Sequence, residues 1–134
     1  MKAVFIVFNH ELSHVSSAVK ALYSKHDITI DVCASTPESF TDSGKLNEFL
    51  QSAEGADIVL MHLMGGKACL TGFDHIISTF GQWKIPVFAA SVPFDKEFIT
   101  TSTVDKNTYD TIHEYIKCGE AENFENLILF LANH

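Results

Sequence analysis

The chain reads as an α/β domain in which helices cover a short, mostly parallel sheet. Brief apolar runs alternate along it with longer stretches of helical period. The first of those runs is continuously apolar and β-branched, as a strand covered on both faces should be. The length of 134 residues is that of a single domain, large enough to close a core without staples.

The elements follow in order. Lys2 to Phe8 (KAVFIVF) is the first strand. Leu12, Val15, Val19 and Leu22 then recur at spacings that mark an amphipathic helix ending near His26, with His10 before its regular part. Ile28 to Ala34 (ITIDVCA) alternates, which predicts an edge strand with one wetter face. Ser35 to Ser43 reads as a loop. Leu46, Phe49, Leu50 and Ala53 define a second helix, closed by Gly55 as a left-handed cap.

Asp57 to Met64 (DIVLMHLM) is the third strand, broken by Gly65-Gly66. Phe73, Ile76, Ile77 and Phe80 make the third helix, and Pro86 to Val92 (PVFAASV) the fourth strand. Pro93 to Asn107 carries no pattern. Two helices close the chain, one through Tyr109, Ile112, Tyr115 and Ile116, the other through Phe124, Leu127, Ile128 and Leu131, parted at Cys118-Gly119. Strands joined through helices give right-handed parallel crossovers. Four of them in the order 2-1-3-4 make a flavodoxin-like three-layer sandwich.

Composition narrows the function. The formal charge is −8, from 17 acidic against 9 basic residues, and the bases form no stripe, so nucleic acid is not an expected partner. Cys33, Cys69 and Cys118 are odd in number and widely spaced, which fits reduced thiols in the cytoplasm. The apolar run at the N-terminus is too short for a signal peptide core, and no stretch has the length of a membrane span.

His10-Glu11-Leu12-Ser13-His14 matches the H-E-x-x-H zinc pattern, which needs two histidines one turn apart facing a metal and a glutamate as base. His10 and His14 are therefore the candidate metal ligands. No third ligand follows at a suitable spacing, and a segment of solvated imidazoles opening a helix is the plainer reading. His62 lies inside an apolar strand and reads as a hydrogen-bonded interior residue. Cys69 reads as a small buried residue, unless Lys67 or a helix start lowers its pKa. His113 and Glu114 read as a solvated helix face.

In open α/β sheets, ligands bind beyond the carboxyl ends of the strands where the strand order reverses. For the order 2-1-3-4 that crevice is lined by Asn9 and His10 after the first strand and by Gly65-Gly66-Lys67 after the third. There the glycines would let the backbone approach a ligand and Lys67 would meet an anion. A flavodoxin's phosphate loop, a receiver's acidic pair, a P-loop, a G-x-G-x-x-G fingerprint and a corrinoid-binding D-x-H-x-x-G loop are all missing. No complete catalytic constellation is present.

Several strings together resemble one family. Ala56 to Lys67 (ADIVLMHLMGGK) is similar to the segment "A-D-hydrophobic run-L-x-G-G-[KR]" near the N-terminus of the large cobaltochelatase subunit. Phe73-Asp74, Ile85-Pro86-Val87 and Ser102-Thr103-Val104 follow in the same order, and Tyr109 to Asn133 resembles that family's closing pair of helices. The porphyrin-binding subunit of magnesium chelatase is a more distant likeness. Ala68-Cys69-Leu70 departs from the aromatic segment that members often carry after the Gly-Gly-Lys turn.

The resemblance implies the N-terminal domain of a longer, ATP-dependent chelatase subunit that inserts cobalt, or another divalent metal, into a tetrapyrrole. ATP and magnesium would belong to the parent reaction and its ATPase subunits, with no cofactor bound by this domain. Its partners would be the remaining domains, those subunits and a tetrapyrrole. The residues best placed for macrocycle or anion contact are His10, Gly65, Gly66, Lys67, Ser102 and Thr103. Two rival readings are a stand-alone flavodoxin-like module for a small anion or a protein, and a zinc metalloenzyme using His10 and His14.

Overall fold

The structure, a computed structural model, describes residues 1–65, 67–93, 95–118 and 120–132, with Lys67, Cys118 and Ala121 described in their backbone only. Four strands, β1 (Lys2–Val7), β2 (Asp31–Ser35), β3 (Ile58–Met64) and β4 (Val87–Val92), form one sheet in the order β2-β1-β3-β4. Every pairing is parallel, with Val4 opposite Cys33 on one side and Val59 on the other. The predicted fold class and strand order are both observed.

Six helices flank the sheet: α1 (Asn9–His26), α2 (Ser43–Ala53), α3 (Phe73–Gln82), α4 (Glu97–Thr101), α5 (Lys106–Cys118) and α6 (Ala121–Ala132). Successive strand residues point to opposite faces, so each inner strand feeds two cores. Phe5, Val7, Leu60 and Phe88 join Val15, Leu22, Ile112, Phe124 and Leu127 on one face. Val4, Ile6, Met61 and Leu63 join Leu50, Ile76, Phe80 and Phe98 on the other. β1 and β3 are buried on both faces, which is why their sequences run apolar without alternation.

The main differences from the sequence reading are these. The first strand stops at Val7, and α1 starts at Asn9, so His10 is inside the helix rather than ahead of it. The second strand starts at Asp31, because Asp27 turns the chain with φ 54° and delays the pairing with β1. The loop after it contains a 3-10 turn, Pro37–Thr41, that buries Pro37 and Phe40. The stretch 93–107 is not structureless, since α4 places Phe98 in the core at 1% exposure.

Local chemistry fixes several ends. Asp42 caps α2 by accepting from the N–H groups of Gly44 (2.8 Å) and Lys45 (3.3 Å), a contact of about 1 kcal/mol. Gly55 leaves α2 at φ 82°, as its predicted role requires. None of the helices among the described residues is long and apolar enough to cross a membrane.

Candidate functional site

β1 connects outward to β2 and β3 connects the opposite way to β4, so the order reverses between β1 and β3. The crevice beyond their carboxyl ends is the place where this architecture admits ligands. Phe8 begins α1 as its N-cap and contributes no side-chain cap hydrogen bond. The first turn is held from below instead. Glu11 points inward, and its carboxylate oxygens lie 2.8 and 2.6 Å from Nδ1 of His62 on β3.

This pair is deeply buried, Glu11 at 1% and His62 at 5% exposure. An ionised carboxylate only accepts, so Nδ1–H of His62 is the donor. The Phe8 ring packs against the imidazole at 5.3 Å between centroids. Glu11 belongs to the buried stripe of α1 with Val15, Ala18 and Leu22, whereas Leu12 is half-buried beside it. The interior, hydrogen-bonded reading of His62 is what the structure shows, and its partner is the residue that sequence reasoning missed.

The H-E-x-x-H string is therefore divided by the helix. Its glutamate lies under α1, bound to His62, and is not presented to a metal on the outer face. His10 and His14 are one turn apart with ring centroids 4.6 Å from each other. His10 is exposed, but His14 is half-buried and packs edge-on against Phe124 of α6 at 6.2 Å, so it is not the solvated imidazole expected. Its Nδ1 is sealed from solvent with no hydrogen-bond partner. Among the described residues no three His, Cys, Asp or Glu side chains gather as a metal-ligand set.

The other candidates are distributed. Gly65 follows β3 with φ 107°, a conformation that suits glycine, and its N–H donates to the Val92 carbonyl at 2.8 Å. That bond ties the ends of β3 and β4 together and withdraws this N–H from any ligand. Gly66 lies outside the described residues, and Lys67, described in its backbone only, opens a 3-10 turn. His10 and Gly65 thus share the carboxyl-end rim, while Ser102 and Thr103 do not.

Ser102 and Thr103 run along the outer edge of β4. Ser102 Oγ accepts from the Ala89 N–H at 2.9 Å, and Thr103 Oγ1 accepts from the Val87 N–H at 2.8 Å. The Thr103 N–H returns a bond to the Val87 carbonyl at 2.8 Å. Tyr109 completes the clasp, its hydroxyl donating to the Ala89 carbonyl at 3.2 Å, and burial pushes its phenol pKa up. Thr103 lines a largely apolar cleft of about 370 Å³ with Met1, Ile58, Pro86 and Leu131, at the amino ends of the strands.

Cys69 is exposed, not buried as its sequence context suggested. Its thiol pKa is nonetheless raised by partial desolvation, which outweighs the lowering by a backbone hydrogen bond, and the Glu38 carboxylate adds the smallest contribution, also upward. An activated nucleophile would need the opposite shift. His113 stacks on Tyr109 at 6.0 Å and is half-buried, while Glu114 is on the surface and pairs with Lys117 at 3.0 Å.

Comparison with known proteins gives a likeness of fold. No family model matches the chain, and no curated protein matches it. The catalytic subunit of cobaltochelatase from Mycobacterium tuberculosis superposes on it with a TM-score of 0.69 and 20% sequence identity, over 98% of this chain. The two share a fold. This chain spans 10% of the length of that subunit.

At the rim itself, the surface is apolar as well as imidazole-bearing. Met64 and Val92, register partners at the ends of β3 and β4, are 61% and 48% exposed. Side chains of that kind left in water beside a crevice are a feature of surfaces that meet another molecule.

Proposed function

We propose that this chain is a domain of a chelatase large subunit of the cobaltochelatase kind, in the cytoplasm, where it helps enclose the tetrapyrrole or docks on the rest of the enzyme. The observation that carries the reading is the fold shared over nearly the whole chain with a cobaltochelatase catalytic subunit. The sequence strings from Ala56 to Lys67 and from Tyr109 to Asn133 support it independently. So does the apolar rim of Met64 and Val92, which suits contact with a macrocycle or a neighbouring domain.

In this reading the domain performs no bond-making step. Glu11 and His62 are engaged with each other under the helix, Cys69 has a raised thiol pKa, and Ser102 is engaged with β4. Insertion of cobalt or another divalent metal, with its ATP and magnesium, falls to other domains and to partner ATPase subunits, the metal being a substrate of the whole enzyme.

Titration of the purified chain with a metal-free corrin and a metal-free porphyrin, followed by absorbance, tests the enclosing role. A saturable spectral shift that weakens in His10→Ala and Lys67→Ala is the expected result. Absence of any shift with either macrocycle removes the enclosing role and leaves docking, which co-purification with chelatase ATPase subunits then checks.

A further inference from the structure

We propose that His10 and His14 form a two-imidazole site for a divalent transition cation, distinct from any catalytic zinc centre. The first observation is their spacing. An imidazole nitrogen holds such a metal at about 2.0–2.1 Å, which places the ring centre about 3.2 Å from it. Two imidazoles at angles between square and tetrahedral then have centres about 4.5–5.2 Å apart. The centroids of His10 and His14 are 4.6 Å apart with planes inclined by 55°. Separation and tilt together suit two rings converging on one ion.

The second observation is the orphan atom. Nδ1 of His14 is sealed and unbonded, although buried polar groups normally find a partner. In the tautomer that leaves a lone pair on this nitrogen, a cation shared with the neighbouring His10 imidazole would relieve it. Water would fill the remaining positions from the exposed His10 side, since no third protein ligand is gathered among the described residues.

The third observation is how the pair is held. α1 has no side-chain cap, yet the buried Glu11–His62 contact pins its first turn to β3, which keeps His10 helical and one turn from His14. Phe124 backs the His14 ring at 6.2 Å. Glu11 is thus a positioning residue for a site it does not touch. The positive end of the helix dipole opposes a cation beside His10 in the first turn, whereas the overall charge of −8 favours one. Imidazole ligands select cobalt, nickel, copper and zinc over magnesium and calcium.

Co²⁺ is the probe, added to the full chain and followed by calorimetry and by paramagnetic shifts of the histidine ring protons. The expected result is one Co²⁺ per chain, with the His10 and His14 resonances shifted most. Affinity should fall at least about tenfold in His10→Ala and in His14→Ala and stay unchanged in His75→Ala, an exposed position on α3. His10→Ala alters only an exposed side chain, so it remains decisive if His14→Ala fails to fold. No saturation at millimolar Co²⁺, or binding that survives His10→Ala, overturns the proposal. The outcome is separate from the macrocycle titration, which uses no metal.

Discussion

Two places in this molecule take polar side chains out of water, and they do so by different means. At the carboxyl ends of β1 and β3, Glu11 and His62 satisfy each other, side chain to side chain, at 1% and 5% exposure. Along β4, Ser102 and Thr103 satisfy backbone groups that a neighbouring strand would otherwise take. The first arrangement couples two distant elements through one interaction. The second spreads the same demand over several weaker bonds. A change in the first should therefore be far more costly than one in the second.

The largest effect is expected for Glu11→Ala, which leaves His62 buried without its acceptor and should lower stability by about 3–5 kcal/mol in urea denaturation. The double variant Glu11→Ala/His62→Ala should cost less than the sum of the two single changes, because the pair is coupled. A loss below about 1 kcal/mol for Glu11→Ala would mean that the contact adds little and that the contrast is wrong.

Ser102→Ala should cost about 1 kcal/mol by freeing the Ala89 N–H, and Thr103→Ser, which keeps the oxygen, should be close to neutral. Equal costs for Ser102→Ala and Glu11→Ala would erase the distinction between the two sites. The smallest effect concerns Cys69. Its thiol pKa is raised, so less thiolate is present at any given pH than for an ordinary cysteine. Iodoacetamide should label it slowly near neutrality, with a rate that climbs only as pH rises past the usual cysteine range. Fast labelling at neutral pH would contradict the shift.

The two places also differ in what their sequences disclose. Periodicity and run length are enough to read four strands and the intervening helices, since each reflects which faces are covered, and the order 2-1-3-4 follows from the doubly wound arrangement such an alternation adopts. Glu11 escaped because a carboxylate is not expected on a buried stripe, so Leu12 was assigned the position that Glu11 holds. A signal was present. His62 in an otherwise apolar strand requires a polar partner, and Glu11 falls in step with Val15, Ala18 and Leu22.

Ser102 and Thr103 offered no such signal. Their partners are main-chain groups of β4, which any sequence supplies alike, so position at a loop end gives no hint of the edge clasp that the structure shows. α4 was invisible for a related reason. A five-residue helix with Phe98 as its one buried residue has too few positions to display a period. His10 and His14 were legible as a pair, but only coordinates reveal that Glu11 faces away from them.

The clasp on β4 also decides in which direction this sheet can be extended. With the outward groups of Val87 and Ala89 bonded to residues 102–104 and to Tyr109, the first half of that margin is closed to an incoming chain. β2 lies at the opposite margin and is paired on one side only, with β1. Among the described residues, a fifth strand from a partner or a misfolded copy meets its longest run of unpaired main-chain groups there, next to Asp31 and Cys33.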